Sequence, residues 1–244
     1  MKILLTGVGK GFGRSYLDKL SKNAEHDILA VTRSLKDFST VEMNEYSRRN
    51  VELCEVDLSN EHSVQNFISN YGINIDNIDI LINNAGQRFR RKIEEIKWED
   101  LTQLFAVNVF TPFTLSRAVI SGMRRRKHGK IINISSILGK SGMSELSGYA
   151  ATKGAIDSFT KSLAIEVASD GITINAIAPG FCETSYVENF KLNEDLFKAV
   201  TDKIPLGRWG EQDEINGLLD FLIFGSSDYI TGQILYIDGG WTAQ

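Results

Sequence analysis

The chain has 244 residues, 42% of them hydrophobic and 24% charged, with a formal net charge of −4. That length and balance suit one soluble α/β domain, and the mild acidity argues against a nucleic-acid binder that relies on overall charge. Two distant cysteines, Cys54 and Cys182, and three scattered histidines give no metal-ligand spacing and fit a reduced, cytoplasmic setting. The first apolar run, Ile3–Leu5, is too short for a signal peptide or a membrane span, and no later stretch reads as one.

In chain order, "KILLT" (Lys2–Thr6) reads as a buried strand, followed by the glycine-rich turn "TGVGKGFG" and a helix through "GRSYLDKLSKN". Further strands are expected at Asp27–Thr32, Val51–Asp57, Ile78–Asn84, Gly129–Ser136, Ile172–Pro179 and Gln233–Asp238. Helical spacing runs through Trp98–Arg126 and Tyr149–Asp170. Strands that are continuously apolar, not alternating, imply burial on both faces. The expectation is therefore a doubly wound, seven-stranded parallel sheet with helices on both faces, its ligand bound beyond the carboxyl ends of the strands.

In that setting Gly7, Gly11 and Gly13 occupy the first strand-to-helix turn. They would let backbone approach a pyrophosphate at a helix N-terminus. The spacing is GxxxGxG, which by itself is also compatible with an ordinary turn. Tyr149 and Lys153, four residues apart on a helix, share a face. An ammonium beside a phenol lowers its pKa from about 10, which suits proton transfer.

Taken together, "TGVGKGFG", "VDL" (Val56–Leu58), "NNAG" (Asn83–Gly86), "VN" (Val107–Asn108), "NISS" (Asn133–Ser136), "YAATK", "PGFCET" (Pro179–Thr184) and "YITGQILYIDGG" resemble the short-chain dehydrogenases/reductases. The resemblance runs from Lys2 to about Gly240, which implies a single NAD(P)-binding Rossmann-type catalytic domain over 1–244. It makes Tyr149 a general acid that protonates a carbonyl oxygen, and Lys153 the group that tunes it and binds the nicotinamide ribose. It makes Ser136, not Ser135, the donor that polarises the carbonyl, and Asn108 the residue that holds a water on the path from lysine to solvent. Cofactor contacts are implied at Gly7, Lys10, Gly11, Phe12, Gly13, Arg33, Asp57, Leu58, Asn84, Ala85, Gly86, Pro179, Gly180, Cys182 and Thr184, besides Tyr149 and Lys153. No metal is expected.

The second strand ends "AVTRS", with Thr32 where an acid would select NAD, then Arg33. With Lys10 in the glycine turn, this resembles the family's NADP pattern, the plain alternative being two solvated cations. The overall likeness is to bacterial 3-oxoacyl-acyl-carrier-protein reductases, implying NADPH-dependent carbonyl reduction with 3-oxoacyl thioesters as a substrate class. The alternatives are a sugar, a polyol or another small alcohol, and a cofactor-binding sensor without catalysis. "RRRKHGK" (Arg124–Lys130) would meet an acidic carrier protein or simply cap a helix, and Asp170 departs from the basic pattern expected there. The segment Phe181–Ile204, with Tyr186, Phe190, Leu192, Leu196 and Phe197, is the expected substrate loop, and "QRFRRK" after "NNAG" would face an anionic substrate or water. Family members commonly form tetramers. A homo-oligomer is therefore expected, pairing helices around Asp100–Arg124 and Tyr149–Asp170, with the C-terminal strand at a second interface; the faces bearing Phe105, Val109, Phe113 and Phe159 would serve this or pack on the subunit's own core.

Overall fold

A computed structural model describes residues 1–71, 75–183 and 194–244. Its strands are β1 (Lys2–Thr6), β2 (Asp27–Thr32), β3 (Val51–Glu55), β4 (Ile80–Asn83), β5 (Gly129–Ile134), β6 (Ile172–Pro179) and β7 (Ile234–Ile237). They form one parallel sheet in the order β3-β2-β1-β4-β5-β6-β7. The order reverses between β1 and β4, whose registered pairs run from Ile3 with Ile80 to Leu5 with Ile82. A crevice opens at such a reversal, beyond the carboxyl ends of the two strands.

The helices are α1 (Gly11–Leu20), α2 (Thr40–Arg48), α3 (Glu61–Asn70), α4 (Trp98–Phe105), α5 (Thr111–Arg126), α6 (Ser147–Val167), α7 (Glu194–Thr201) and α8 (Gln212–Phe224). Alternate strand residues serve opposite faces. Ile3, Leu5, Ile28, Ala30, Ile80 and Ile82 pack with Tyr16, Leu17, Leu20, Ile215, Leu219 and Leu222 of α1 and α8. Leu4, Leu29, Val31 and Leu81 instead meet Val64 and Phe67 of α3, Leu115 and Val119 of α5, and Ala164 and Val167 of α6. Burying one such side chain is worth about 1.5–3 kcal/mol, so two apolar faces hold the sheet between two helical layers.

The strands agree with expectation to within two residues at each end. The long helix over Trp98–Arg126 does not run uniformly: Ala106–Phe110 forms a π-turn between α4 and α5. Pro112 explains the break, since it has no N–H to offer the carbonyl of Asn108 four residues earlier. By length and composition Trp98–Arg126 would also pass as a membrane span, which corrects the reading that no later stretch does. Its buried Leu104, Leu115, Val119 and Met123 are accounted for by packing inside the protein.

Candidate active site

The glycine turn is shaped by its neighbours. Gly7 has φ 76°, and a Cβ there would lie 2.7 Å from the Cα of Ala85. Asn84 donates through Nδ2 to the carbonyls of Thr6 (3.0 Å) and Gly7 (3.1 Å). The hydroxyl of Thr6, whose role the sequence left unassigned, accepts from the N–H of Asn84 (3.1 Å) and of Ala85 (3.0 Å). "NNAG" is thus latched to the glycine turn, at the switch point.

Helix α1 begins at Gly11 with Lys10 as N-cap, and no side chain caps it. By contrast, Ser39 and Asn60 cap α2 and α3. A Cβ at Gly11 would meet nothing within 4 Å, so the start of α1 is open on that side. Uncapped N–H groups at a helix N-terminus suit a phosphate, and the residues present therefore fit a dinucleotide. Lys10 and Arg33 are both exposed at this end.

A carboxylate that sequence reading missed stands with them. A Cβ on Gly9 would lie 2.5 Å from Oδ2 of Asp37 and 3.1 Å from Oγ1 of Thr32. Asp37 is five residues beyond the end of β2 and reaches the turn through the short 3-10 turn Leu35–Asp37. No motif marks it.

Of the other residues expected at the cofactor, Asp57 accepts through Oδ1 from the N–H (2.9 Å) and hydroxyl (2.7 Å) of Ser59. Leu58 is buried, and its carbonyl accepts from Thr111 at 2.8 Å. Phe12 packs on the core. Pro179 ends β6, and a Cβ on Gly180 would lie 2.8 Å from the Cα of Asp238. Cys182 is buried, its thiol pushed up to about 12 by burial and turned toward Gly210, so only its backbone is left to face a ligand. Thr184 lies outside the described residues, as do Tyr186, Phe190, Leu192 and the side chain of Leu196. Phe197 stacks on Trp209 with ring centroids 5.1 Å apart, and Phe181 contacts both Trp209 and Trp241.

The chemistry-bearing residues converge. Ser136, just beyond β5, acts on the Tyr149 hydroxyl, holding its pKa down against burial. Its neighbour Ser135 turns the other way and donates to Asp157 at 2.5 Å, which is why only one of the pair faces the tyrosine. One helical turn from Tyr149 on α6, Lys153 donates to the carbonyl of Ile134 at 2.7 Å and sits 5.6 Å from the Tyr149 ring centroid. A Cβ on Gly86 would lie 3.8 Å from Nζ of Lys153 and 3.7 Å from Oδ1 of Asn108. Asn108, in the π-turn, is buried and bonds Gln87 and Thr152.

Burial raises the pKa of Tyr149, opposed by the Arg88 guanidinium and by the Ser136 hydrogen bond. Expectation had the lysine pulling this phenol down. In the structure burial outweighs the pull, and the opposing cation is Arg88. Burial lowers Lys153 to about 8, with Asp157 acting in the opposite sense. The site thus holds a neutral phenol, ready to donate, beside a lysine that titrates near neutrality.

Comparison with known proteins decides the family. A family model described as enoyl-(acyl carrier protein) reductase matches residues 7–242. The chain belongs to the short-chain dehydrogenase/reductase family. It is 36% identical to 2-dehydro-3-deoxy-D-gluconate 5-dehydrogenase of Bacillus subtilis, covering 99% of this chain and 94% of that protein. It is also 36% identical to 3-oxoacyl-[acyl-carrier-protein] reductase of Rickettsia felis, over 97% and 95%. Among solved structures it resembles 4-hydroxyisoleucine dehydrogenase complexed with NADH (TM-score 0.93, 27% identity, 100% and 99% covered). It likewise resembles a Burkholderia cenocepacia gluconate 5-dehydrogenase in complex with NADP and tartrate (TM-score 0.89, 32% identity, 100% and 95% covered). Membership makes this short-chain dehydrogenase/reductase an NAD(P)-dependent oxidoreductase that interconverts carbonyl and alcohol groups.

Proposed function

We propose that this chain reduces the carbonyl of a small substrate with NADPH, Tyr149 serving as the general acid. The observation that carries the reading is the convergence of Ser136, Tyr149, Lys153 and Asn108 below Gly86. A dinucleotide held at the glycine turn would supply the hydride for the carbonyl carbon. Ser136 and Tyr149 hold the carbonyl oxygen, and the Tyr149 hydroxyl gives its proton to that oxygen as negative charge develops there. The Lys153 ammonium stabilises the phenolate left behind. Asn108, whose side chain lies with Lys153 beside Gly86, holds a water on the path by which a proton returns from solvent.

NADP is the preferred cofactor in this reading, through Lys10 and Arg33 at the adenosine end. Two substrate classes are represented among the relatives, 3-oxoacyl thioesters and sugar acids. One observation favours the second. The cluster that would receive an acidic carrier protein is engaged within the chain: Arg124 and Lys127 bond Asp170 at 2.8 and 3.0 Å, Arg125 pairs with Asp76, and Arg126 pairs with Asp79 at 3.5 Å. Lys130 is buried on Asp228 at 2.9 Å. Hydroxy and oxo acids are therefore the leading substrates, and a carrier-bound thioester is second.

The whole of 1–244 acts as one catalytic domain, and buried, free Cys54 and Cys182 fit a cytoplasmic home. Exposed Phe110 in the π-turn, Phe113 on α5 and Ile165 on α6 support a homo-oligomer, tetramer or dimer. The test is the initial rate of NADPH oxidation with a short 3-oxoacyl thioester and with a panel of C4–C6 oxo acids, alongside NADH at equal concentration. Turnover with oxo acids and NADPH supports the reading. Turnover confined to the thioester reverses the order of substrates, and none with either class, in protein shown to bind NADPH, removes both.

A further inference from the structure

The loop between β2 and α2 carries both Arg33 and Asp37, and its two halves are fastened to different parts of the protein. The first half belongs to the sheet. Thr32 accepts through its carbonyl from the N–H of Val56 at 2.9 Å, the N–H of Leu35 donates to Oε2 of Glu55 at 2.7 Å, and Arg33 lies between them. The second half belongs to α1. Phe38 is buried, and the guanidinium of Arg14 covers its ring, with Cζ 4.1 Å from the centroid.

Arg14 stands in the first turn of α1, and its side chain is only 18% exposed. It pairs with Glu42 of α2, lies 3.9 Å from Asp18, and has the Tyr46 ring centroid 5.7 Å away. Glu42 is itself committed to the start of α2, where its Oε2 accepts from the N–H and the hydroxyl of Ser39, each at 2.7 Å. Arg14 thus holds Phe38 by stacking and Ser39 through Glu42. Asp37 directly precedes these two residues, and its Oδ2 is set against the glycine turn, where a Cβ on Gly9 would lie 2.5 Å from it. A planar guanidinium stacks on a ring and pairs with a carboxylate at once, which a lysine ammonium does less well.

We propose that Arg14 is a positioning residue for cofactor choice: it holds Asp37 against the glycine turn, where the carboxylate opposes a 2′-phosphate and suits a ribose hydroxyl. The proposal rests on the reading of the glycine turn as the dinucleotide site, with Lys10 and Arg33 favouring a 2′-phosphate. With its guanidinium engaged by Phe38 and Glu42, Arg14 acts on the cofactor through the loop. Loss of this brace releases the half that bears Asp37 and leaves Arg33 fastened to the sheet. The sign of the effect is therefore opposite to that of a lost cation. Removing a positive charge near a 2′-phosphate lowers the preference for NADPH, whereas letting a carboxylate withdraw raises it.

The test is equilibrium titration of NADPH and of NADH, followed by nicotinamide fluorescence at one ionic strength, and it needs no turnover. The ratio of NADPH to NADH affinity is expected to rise about tenfold in Asp37→Asn and about fivefold in Arg14→Gln, with Arg14→Lys between wild type and Arg14→Gln. Phe38→Leu removes no charge and is expected to raise the ratio in the same sense. In the Asp37→Asn background, Arg14→Gln is expected to change the ratio less than about twofold, because the carboxylate it positions is gone. Cooperative thermal unfolding shows that each variant is folded; should Arg14→Gln fail to fold, Arg14→Lys takes its place.

A ratio that stays at the wild-type value or falls in either Arg14→Gln or Phe38→Leu overturns the proposal. So does a rise of the same size with and without the Asp37 carboxylate. An unchanged ratio in Asp37→Asn alone overturns it too, and leaves the dinucleotide site standing where both cofactors bind. Wild type that binds neither removes that site and the proposal with it.

Discussion

Asn108 grips the backbone of Gln87 from both sides, its Nδ2 donating to the Gln87 carbonyl and its Oδ1 accepting the Gln87 N–H, each at 2.8 Å. The amide supplies a donor and an acceptor side by side, and it simultaneously donates to Thr152 at 3.0 Å. The residue expected to hold a water thus also fastens the cofactor-side loop to the helix that bears Tyr149. Asn108→Asp removes the donor and places a charge among buried partners. It is expected to destabilise the fold by about 1–3 kcal/mol and to cut kcat more than tenfold, as thermal unfolding and steady-state rates will show. Thr152→Ala, which removes one partner alone, should cost less in both.

The pH dependence follows from Lys153. Burial holds it at about 8 where an ordinary lysine sits at 10.5, so the ammonium is present below that value and lost above it. Reduction with NADPH is therefore expected to decline as pH rises through about 8. Asp157 supports the charged form, so Asp157→Asn should move the decline to lower pH, and a pH–rate profile of both proteins reads the shift. Between about 8 and 10.5 the unfolded chain binds the proton that the folded one has released. Conformational stability should consequently rise with pH across that window, as far as this lysine contributes.

The proposed preference for NADP rests on Arg33 and Lys10, which would favour a 2′-phosphate, whereas Asp37, beside Thr32 at Gly9, would oppose it and suit a ribose hydroxyl. Arg33→Ala is expected to lower the ratio of kcat/KM for NADPH over NADH about tenfold, the loss of roughly 1.4 kcal/mol for one charge-assisted contact. Asp37→Asn should raise the same ratio. A ratio that both substitutions leave untouched would place the selectivity elsewhere.

Lys130 gives a stability test remote from catalysis. Its buried ammonium donates to the carbonyl of Leu222 at 3.1 Å, meets Ser227 at 3.3 Å and pairs with Asp228. Lys130→Met keeps the stem and removes these contacts, leaving the Leu222 carbonyl its bond from the Ser227 hydroxyl (2.8 Å) and exposed Asp228 to water. A loss of about 1–3 kcal/mol in denaturant unfolding is expected, with kcat unchanged.

Much of this was legible from residue order. Continuous apolar strands such as "KILLT" and "ITINAIAP" carry their own boundaries because both faces are buried, and Tyr149–Lys153 spacing places both groups on one side of α6. What was hidden depends on contacts distant in sequence. Asp37 reaches Gly9 only through the turn after β2, and Thr6 finds Asn84 only across the sheet. Arg90 and Arg91 could be flagged within "QRFRRK", but their partners Glu145 and Asp100 are identified only by folding. The π-turn was hidden in the same way, although Pro112 after "VNVFT" is a signal that could have found it. The sign of the Tyr149 shift was misjudged because burial, which sequence does not measure, outweighs the cations nearby.

The central claim is that Tyr149 donates the proton in an NADPH-linked reduction. The most direct measurement is the single-turnover rate of NADPH oxidation by wild type and Tyr149→Phe with the best oxo-acid substrate, at saturating cofactor. The account predicts unchanged NADPH affinity and a rate lower by about 10²–10⁴ in the variant. Turnover that survives in Tyr149→Phe would contradict it.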